Sequence, residues 1–338
     1  MTPQRRIART VTSPPLAPGF VGPGHLAAQL VAQEDFAVND PFIMLMDDHL
    51  DIGERPVGGA HPHAGFETVT LLLEGAIHDP DEGGVIKTGE VQWMTAGRGI
   101  IHSENVATKG KVRLLQLWLT LPKSQRWTRP GFQDVHADSI PVRREKGVAV
   151  RLYSGASGDQ HSPTRNHVPV TLAEIRLDAR AAFEQDVPTS YNGFVFVVSG
   201  SARVGADATD LTIGQVGWLD RPEGESISLL RLVAGDEGAR IVQYAGQPQG
   251  DPIVSQGPFI EAREFPAAAR ARAGTRLHPD RFPGASTAFR VSGGGRHGGM
   301  QCGRPRNERP PDGAGTEDFG RWPERSPGAR RPRGMCQP

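Results

Sequence analysis

The feature that most constrains the fold is an internal repeat with a constant offset of 125 residues. In both halves an apolar segment runs into a glycine, and a polar segment then leads to the pattern Gly-x-Val-x-Trp. The matched positions are Gly75 and Gly200, Gly89 and Gly214, Val91 and Val216, and Trp93 and Trp218. Because duplication explains these matches better than chance does, the sequence predicts two copies of one domain.

The composition of the apolar segments predicts the fold class. These segments are short, regularly spaced, rich in Val, Ile, Leu, Phe and Thr, and bounded by Gly, Pro or Asp, as strands are. Few segments have the periodicity of a long amphipathic helix, so an all-β sandwich or barrel is expected. The predicted strands cover residues 66–77, 112–122, 148–155, 168–177, 193–204, 226–235 and 239–246.

The repeat and a change of composition divide the chain into three predicted parts. An N-terminal domain at 1–130 and a C-terminal domain at 131–262 meet near the polar segment 123–147. The remainder, 263–338, is a tail in which Arg, Gly and Pro supply 36 of the 72 residues from 267 onwards. Such a segment buries too little apolar surface to offset the entropy of ordering, so we expect a disordered tail.

The charges are distributed unevenly, although the formal net charge is zero. Residues 267–338 carry 14 Arg against 6 Asp and Glu, a balance of +8, so residues 1–266 carry −8. An acidic body disfavours direct binding of nucleic acid through phosphate contacts. No apolar stretch approaches the roughly 18 residues of a membrane span, and no signal peptide is indicated. Cys302 and Cys336 provide no disulfide framework, so we expect a cytoplasmic protein, and a monomer.

Two polar motifs in the first repeat have the spacing of metal ligands. His61 and His63 are separated by one proline, and His102 and Glu104 are separated by one serine. Alternate residues of a strand share a face, so each motif presents two ligand groups to one side. Two antiparallel strands of this kind would form a site of three histidines and one carboxylate. These donors suit Fe, Mn, Co, Ni, Cu or Zn, and make Mg and Ca poor candidates.

The second repeat serves as a control, because a single His-x-His pair is more often a chance pair than a metal site. At the same offset, the corresponding residues are Ile227 and Leu229 for the later motif, and Asp186 and Pro188, or Thr189 and Tyr191, for the earlier one. The second copy therefore keeps the scaffold residues and lacks all three histidines. Ligand groups in one copy alone indicate a site added to one barrel.

Glu67 is a further candidate in the same region. It follows His63 by four residues, so a continuous strand would place both side chains on one face. It is either a fifth ligand or a carboxylate that supports a ligand from behind, and we predict the second role.

Longer stretches around these motifs resemble a known family. HPHAGFETVTLLLEG at 61–75 and GEVQWMTAGRGIIHSE at 89–104 closely resemble the pirin family of the cupin superfamily. DPFIMLMDD at 40–48, QLWLTLP at 116–122 and GPF at 257–259 are also similar to pirin segments. The resemblance covers residues 5 to 260. It implies two tandem cupin (jelly-roll-like) β-barrels with a mononuclear iron, Fe²⁺ first among the metals above, in the N-terminal barrel.

The resemblance also implies which residues act. Its metal ligands fall on His61, His63, His102 and Glu104, which leaves Glu67 outside the ligand set. The chain departs from the family pattern at Ala64, where most pirins have Arg. It departs again near residue 260, where pirins usually continue into an acidic helix that contains Tyr.

Three functions are then open. The first is a metal-dependent dioxygenase of the quercetin 2,3-dioxygenase type, with a small aromatic substrate such as a flavonol and with Glu104 as the group that accepts its hydroxyl proton. The second is an iron-dependent, redox-sensitive regulator that binds a protein partner, either a transcription factor or a metabolic enzyme, without turnover. The third is a barrel that the metal only stabilises.

Overall fold

A computed structural model describes residues 2–53, 55–81, 83–108, 110–224 and 226–262 of the chain. The predicted disorder of residues 263–338 lies outside the described residues. Regular structure is almost entirely β, which confirms the predicted fold class. Among the described residues the helical elements are the 3-10 turns Gln33–Asp35 and Lys123–Gln125 and one helical turn, α1 (Phe36–Asn39). Within the same residues, no helix has the length and apolar character needed to cross a membrane.

The strands fall into two groups along the chain. The first half contains β1 (Ile7–Thr12), β2 (Ala17–Pro18), β3 (His25–Val31), β4 (Phe42–Leu50), β5 (Pro56–His63), β6 (Phe66–Glu74), β7 (Ala76–His78), β8 (Val85–Lys87), β9 (Val91–Thr95), β10 (Ile100–Val106) and β11 (Val112–Thr120). The second half contains β12 (Gly131–Val135), β13 (Val142–Glu145), β14 (Val148–Ser154), β15 (Ala156–Ser157), β16 (Gln160–His161), β17 (Val170–Leu177), β18 (Ala182–Pro188), β19 (Asn192–Val204), β20 (Thr209–Thr212), β21 (Gln215–Leu219), β22 (Ile227–Gly246), β23 (Ile253–Gln256) and β24 (Phe259–Ala262).

The first barrel consists of two sheets. A seven-stranded sheet has the order β12-β9-β6-β11-β4-β3-β2, and a four-stranded sheet has the order β5-β10-β7-β8. A buried apolar cluster joins the two sheets, with Leu72 and Leu114 from the larger sheet and Val57 and Ile77 from the smaller one. This packing places β5 and β10, which carry the two polar motifs, beside each other.

The second barrel is built from a single nine-stranded sheet. Its main path has the order β1-β21-β19-β22-β17-β14-β13, with β18 also paired to β22 and β20 to β19. Its interior is apolar and includes Val150, Ile175, Val195 and Leu230. Strands predicted at 226–235 and 239–246 form one strand, β22, in which Gly238 has φ +78°. The chain continues without a break because β22 pairs with β18 along its first part and with β17 along its last.

The largest apolar cluster lies between the two barrels. It combines Val69 and Leu117 of the first barrel with Phe194 and Tyr244 of the second, all fully buried. Phe194 and Tyr244 stack with ring centroids 4.8 Å apart. One face of β19 points into the second barrel, and the other face packs against the first barrel. Because both faces are buried, the sequence of β19 is continuously apolar and does not alternate with polar residues.

The strand register confirms the duplication. Val69 lies opposite Trp93 in the pair β6–β9, and Phe194 lies opposite Trp218 in the pair β19–β21, which is the same register shifted by 125 residues. The repeated glycines all have positive φ, namely +85° at Gly75, +72° at Gly200, +80° at Gly89 and +79° at Gly214. Glycine adopts this conformation without steric cost, so both copies require glycine at these turns.

Two strands pair with strands from the other half of the chain. β1 pairs with β21 of the second barrel, and β12 pairs with β9 of the first. Near the end of the described chain, Phe259 of β24 forms a parallel bridge to Ala64. The limits predicted for the two domains, 1–130 and 131–262, stay a prediction.

Candidate metal centre

The structure brings three histidines together at one end of the first barrel. β5 and β10 pair antiparallel, with His61 opposite His102. The ligand atoms of His61, His63 and His102 all lie within 4.8 Å of one another. Their ring centroids are 4.5 to 5.2 Å apart. The two polar motifs therefore contribute to a single cluster.

Hydrogen bonds fix two of the three imidazoles from behind. Nδ1 of His61 donates to the carbonyl oxygen of Gly59 at 2.8 Å, and Nδ1 of His102 donates to a carboxylate oxygen of Asp79 at 2.8 Å. Each ring thereby keeps the lone pair of its Nε2. Nε2 of His102 is buried and has no hydrogen-bond partner among the described residues. A buried acceptor of this kind, with a carboxylate behind it, is typical of a metal-bound histidine.

Packing holds the third imidazole. Nδ1 of His63 is buried and has no hydrogen-bond partner among the described residues. Phe66 meets its ring edge-on at 5.3 Å between centroids, and Trp118 does so at 5.7 Å. His63 is thus oriented by two aromatic neighbours, in contrast to His61 and His102.

Glu104 lies on β10 next to this cluster but does not join the group of atoms within 4.8 Å. The pairing of β10 with β5 shifts between His102 and Glu104, because an irregularity interrupts the ladder there. Such a bulge turns a side chain away from strict alternation. Glu104 as the fourth ligand stays a prediction.

The environment sets the protonation of the cluster. Burial lowers the pKa of His61, and it lowers the pKa of His63 well below the usual value, with the neighbouring imidazoles adding to the effect. Burial also acts on His102, but the hydrogen bond to Asp79 and the charge of Glu104 outweigh it, so the pKa of His102 is raised. Neutral imidazole is the form that binds metal, and His61 and His63 hold that form at neutral pH.

The pKa of Glu104 is raised as well. Burial has the largest effect; the charge of His102 opposes it, and the charges of Asp79 and Asp48 add to it. A carboxylate with a raised pKa is a better proton acceptor near neutral pH than an ordinary glutamate.

Asp79 is a residue of the site that the sequence did not indicate. It follows β7, and β7 pairs with β10 so that His78 lies opposite Asn105. This pairing brings the fully buried Asp79 to His102. An aspartate in the polar turn 78–84 reads as a surface residue, and only the pairing of β7 with β10 shows its role.

Glu67 does not support a ligand, which corrects the prediction made from its spacing. Its carboxylate accepts a hydrogen bond from Thr95 at 2.7 Å and interacts with the side chain of Trp93. The turn at Gly65, with φ +88°, separates β5 from β6 and breaks the alternation between His63 and Glu67. Glu67 instead shares the face of β6 with Val69, toward the second barrel.

Among the described residues, the corresponding end of the second barrel has no cluster of three ligand groups. Ile227 and Pro188, matched to the motifs by sequence, lie opposite each other, but Ile227 is 45% exposed on the outer face. The paired residues that point inward are Val187 and Ser228, since a shift of one residue changes the face of a strand. The alignment was therefore wrong by one residue, although its conclusion that the second copy lacks the histidines holds.

Two cupin barrels in tandem, with a cluster of three histidines in the first, define a bicupin with a candidate metal centre in its first barrel. A family model described as pirin matches residues 25–119, and one described as pirin C-terminal cupin domain matches residues 172–264. A pirin-like protein of Caulobacter vibrioides is 34% identical over 267 residues, which are 76% of this chain and 93% of the relative. The chain belongs to the pirin family.

Solved structures agree with this assignment. The protein GK1651 of Geobacillus kaustophilus is 36% identical with a TM-score of 0.70, over 75% of this chain and 100% of its own. A quercetin 2,3-dioxygenase of Acinetobacter baumannii is 27% identical with a TM-score of 0.69, over 83% of this chain and 99% of its own.

Proposed function

We propose that the protein is a metal-dependent dioxygenase that cleaves the ring of a flavonol-type substrate. The observation that carries this proposal is the convergence of three imidazoles, with His102 backed by Asp79. The similarity to a quercetin 2,3-dioxygenase supports the substrate class. The proposal places the protein in the cytoplasm and takes it to be a monomer.

The donor set fits a first-row transition metal. His61, His63 and His102 would hold the ion, and Glu104 would be the fourth ligand in the family pattern. Among the metals that suit these donors we propose Fe²⁺. When bound, such an ion supplies Lewis-acid and redox chemistry for a reaction between an aromatic substrate and dioxygen.

The residues around the cluster have defined roles. Glu104, beside the cluster on β10, accepts the hydroxyl proton of the flavonol, which makes the ring a better electron donor. Asp79 keeps the proton of His102 on Nδ1 and so leaves Nε2 free. Phe66 and Trp118 line His63, and Phe132 lies 6.2 Å from His102 between ring centroids. Phe66 is fully buried and packs behind His63, whereas Trp118 and Phe132 are partly exposed and offer flat apolar surfaces to an aromatic substrate.

The test uses untagged protein loaded anaerobically, in separate samples, with Fe²⁺, Mn²⁺, Co²⁺, Ni²⁺ or Cu²⁺. Quercetin and dioxygen are then added, and ring cleavage is followed by absorbance and mass spectrometry. We expect turnover with at least one metal and a loss of kcat per bound metal ion of about 10²-fold or more in Glu104→Gln, whose metal content is measured beside its activity. Absence of ring cleavage with all five metals would exclude the proposal.

A second candidate function is an iron-dependent regulator that binds a protein partner. It is favoured by Ile101, which neighbours His102 on β10 and exposes 48% of its surface. A change at the metal is thus one residue away from an apolar surface group. If the protein is such a regulator, its Fe²⁺ and Fe³⁺ forms should retain a protein partner to different extents, and Ile101→Asp should remove the difference. Equal retention by both forms would exclude it.

A further inference from the structure

The chain reverses direction immediately after His63. Ala64 and Gly65 form the elbow between β5 and β6, and Gly65 has φ +88°. On one side of this elbow, the N–H of Gly65 donates to the carbonyl oxygen of Gly97 at 2.8 Å. On the other side lies a segment from the far end of the described chain, residues 257–262, which we name the C-terminal strap.

The strap binds the elbow through the backbone. The N–H of Ala64 donates to the carbonyl oxygen of Pro258 at 3.3 Å, and the N–H of Ile260 donates to the carbonyl oxygen of Ala64 at 3.0 Å. The approach is close, because a Cβ atom on Gly65 would lie 2.0 Å from the carbonyl oxygen of Ile260. The absence of a side chain at Gly65 thus admits the strap, which is a use of glycine beyond its positive φ.

The strap also contacts the wall of the metal centre. Ile260 is only 3% exposed and belongs to a small buried cluster with Phe66, Phe36 and Ile43. Phe66 packs on Trp118, with 4.5 Å between ring centroids, and both rings touch His63. The buried cluster therefore links Ile260 to Phe66, and Phe66 packs against His63.

This link matters because His63 is the histidine of the cluster whose Nδ1 has no hydrogen-bond partner within the described part of the chain. The orientation of its ring depends on the backbone at Ala64 and on the position of Phe66. The strap is hydrogen-bonded to the backbone of Ala64, and its Ile260 shares a buried cluster with Phe66.

We propose that the C-terminal strap is a positioning element of the metal centre, in which Ile260 holds His63 in the orientation that binds metal. The inference rests on the proposed metal site but not on the proposed cleavage of quercetin. Ile260 is a positioning residue, since it acts through Ala64 and Phe66 and does not touch the cluster itself.

The experiment is a titration of the full chain with Co²⁺, followed by visible absorption, in wild type and in Ile260→Ala. We expect the variant to bind Co²⁺ about tenfold more weakly, as changes to groups that support ligands do, with an altered d–d spectrum. Ile260→Val, which keeps most of the side chain, is expected to restore wild-type affinity.

Two matched controls separate positioning from general destabilisation. Val254→Ala removes an exposed side chain from the same hairpin, and Ile241→Ala removes a fully buried one from the second barrel. Both are expected to keep wild-type affinity and spectrum. Wild-type affinity and spectrum in Ile260→Ala would overturn the role of the strap and leave the metal site intact, as would equal weakening in Ile241→Ala. A wild type that binds no Co²⁺ would overturn the metal site and the strap together, whatever the quercetin assay shows.

Discussion

The two barrels share one strand plan and differ in what fills the end where the first carries its histidines. In the first barrel, the paired residues there are His61 and His102, and their acceptor nitrogens converge. In the second barrel, the inward pair is Val187 and Ser228. The comparison teaches that the scaffold does not require the histidines, so their presence in one copy reflects a site and not the fold.

In the second barrel, the side chain of Arg5 fills this end. Arg5 is 0% exposed, and its guanidinium donates to Ser228 Oγ at 2.8 Å and to the carbonyl oxygen of Tyr191 at 3.1 Å. It also donates to the carbonyl oxygens of Pro188 and Thr189. An arginine from the N-terminal segment thus satisfies polar groups of the second barrel, whereas the C-terminal strap closes around the elbow of the first.

The largest effect is expected at the histidines themselves. His102→Ala removes one of three converging ligands and should weaken metal binding by more than about 100-fold, beyond the loss seen for supporting groups. His161→Ala, which changes an exposed histidine of the second barrel, should bind metal as wild type does. Isothermal titration with Ni²⁺ or Co²⁺ measures both variants. Equal metal affinity in wild type and His102→Ala would contradict the claim that the histidines distinguish the first barrel as the metal site.

The next largest effect concerns the second barrel. Arg5→Met keeps an unbranched apolar side chain but removes the guanidinium. Several buried carbonyl groups then lack a hydrogen-bond donor, and each costs about 1–3 kcal/mol. We expect a loss of more than about 3 kcal/mol in the free energy of unfolding, measured with urea, and an unchanged metal content. A variant as stable as wild type would show that Arg5 does not close the second barrel.

Glu67 provides a third comparison, because Asn192 occupies the same place in the second repeat. The amide of Asn192 donates to the carbonyl oxygens of Val38 and Asp40, both at 3.0 Å, whereas Glu67 places an ionisable carboxyl group at a position that is 0% exposed. Burial raises the pKa of Glu67 from its usual 4.5 to about 7, and hydrogen bonds from Thr95 and Trp93 offset this only in part.

The sign of the pH dependence follows from that shift. The folded state binds the proton of Glu67 more tightly than the unfolded state, so folding stability is lost as the pH rises from about 4.5 to about 7. Glu67→Gln removes this loss, which is on the order of 3 kcal/mol. Urea unfolding at pH 5 and pH 8 should show the variant gaining stability relative to wild type at the higher pH. The same difference at both pH values would contradict the shift.

The smallest effect is expected at Asp79. Asp79→Asn keeps the shape of the side chain but removes the charge behind His102, which should weaken metal binding by about 10–100-fold. Asp159→Asn changes an exposed carboxylate of the second barrel and serves as the control. If both variants bind metal equally, the carboxylate behind His102 has no special role.

Much of the fold and part of the site could be predicted because they depend on local patterns. The matched glycines and tryptophans predicted two copies, and their strand registers agree. The spacing of His61, His63 and His102 predicted ligand groups on strands, and β5 and β10 bring them together.

The rest depends on contacts between segments that are distant in sequence. Asp79 reaches His102 only through the pairing of β7 with β10, and Arg5 reaches Ser228 across 223 residues. Glu67 was assigned to the wrong face because a turn at Gly65 interrupts the strand. Local periodicity does not predict such turns and long-range pairings, because the alternation of faces holds only within one uninterrupted strand.

The most direct test is the number of metal ions per chain. Untagged wild type, loaded with excess Fe²⁺ under anaerobic conditions and desalted, is measured by elemental analysis beside His61→Ala and His161→Ala. A single centre in the first barrel predicts one ion per chain in wild type and His161→Ala, and essentially none in His61→Ala. Two ions per chain, or an ion retained in His61→Ala, would contradict it.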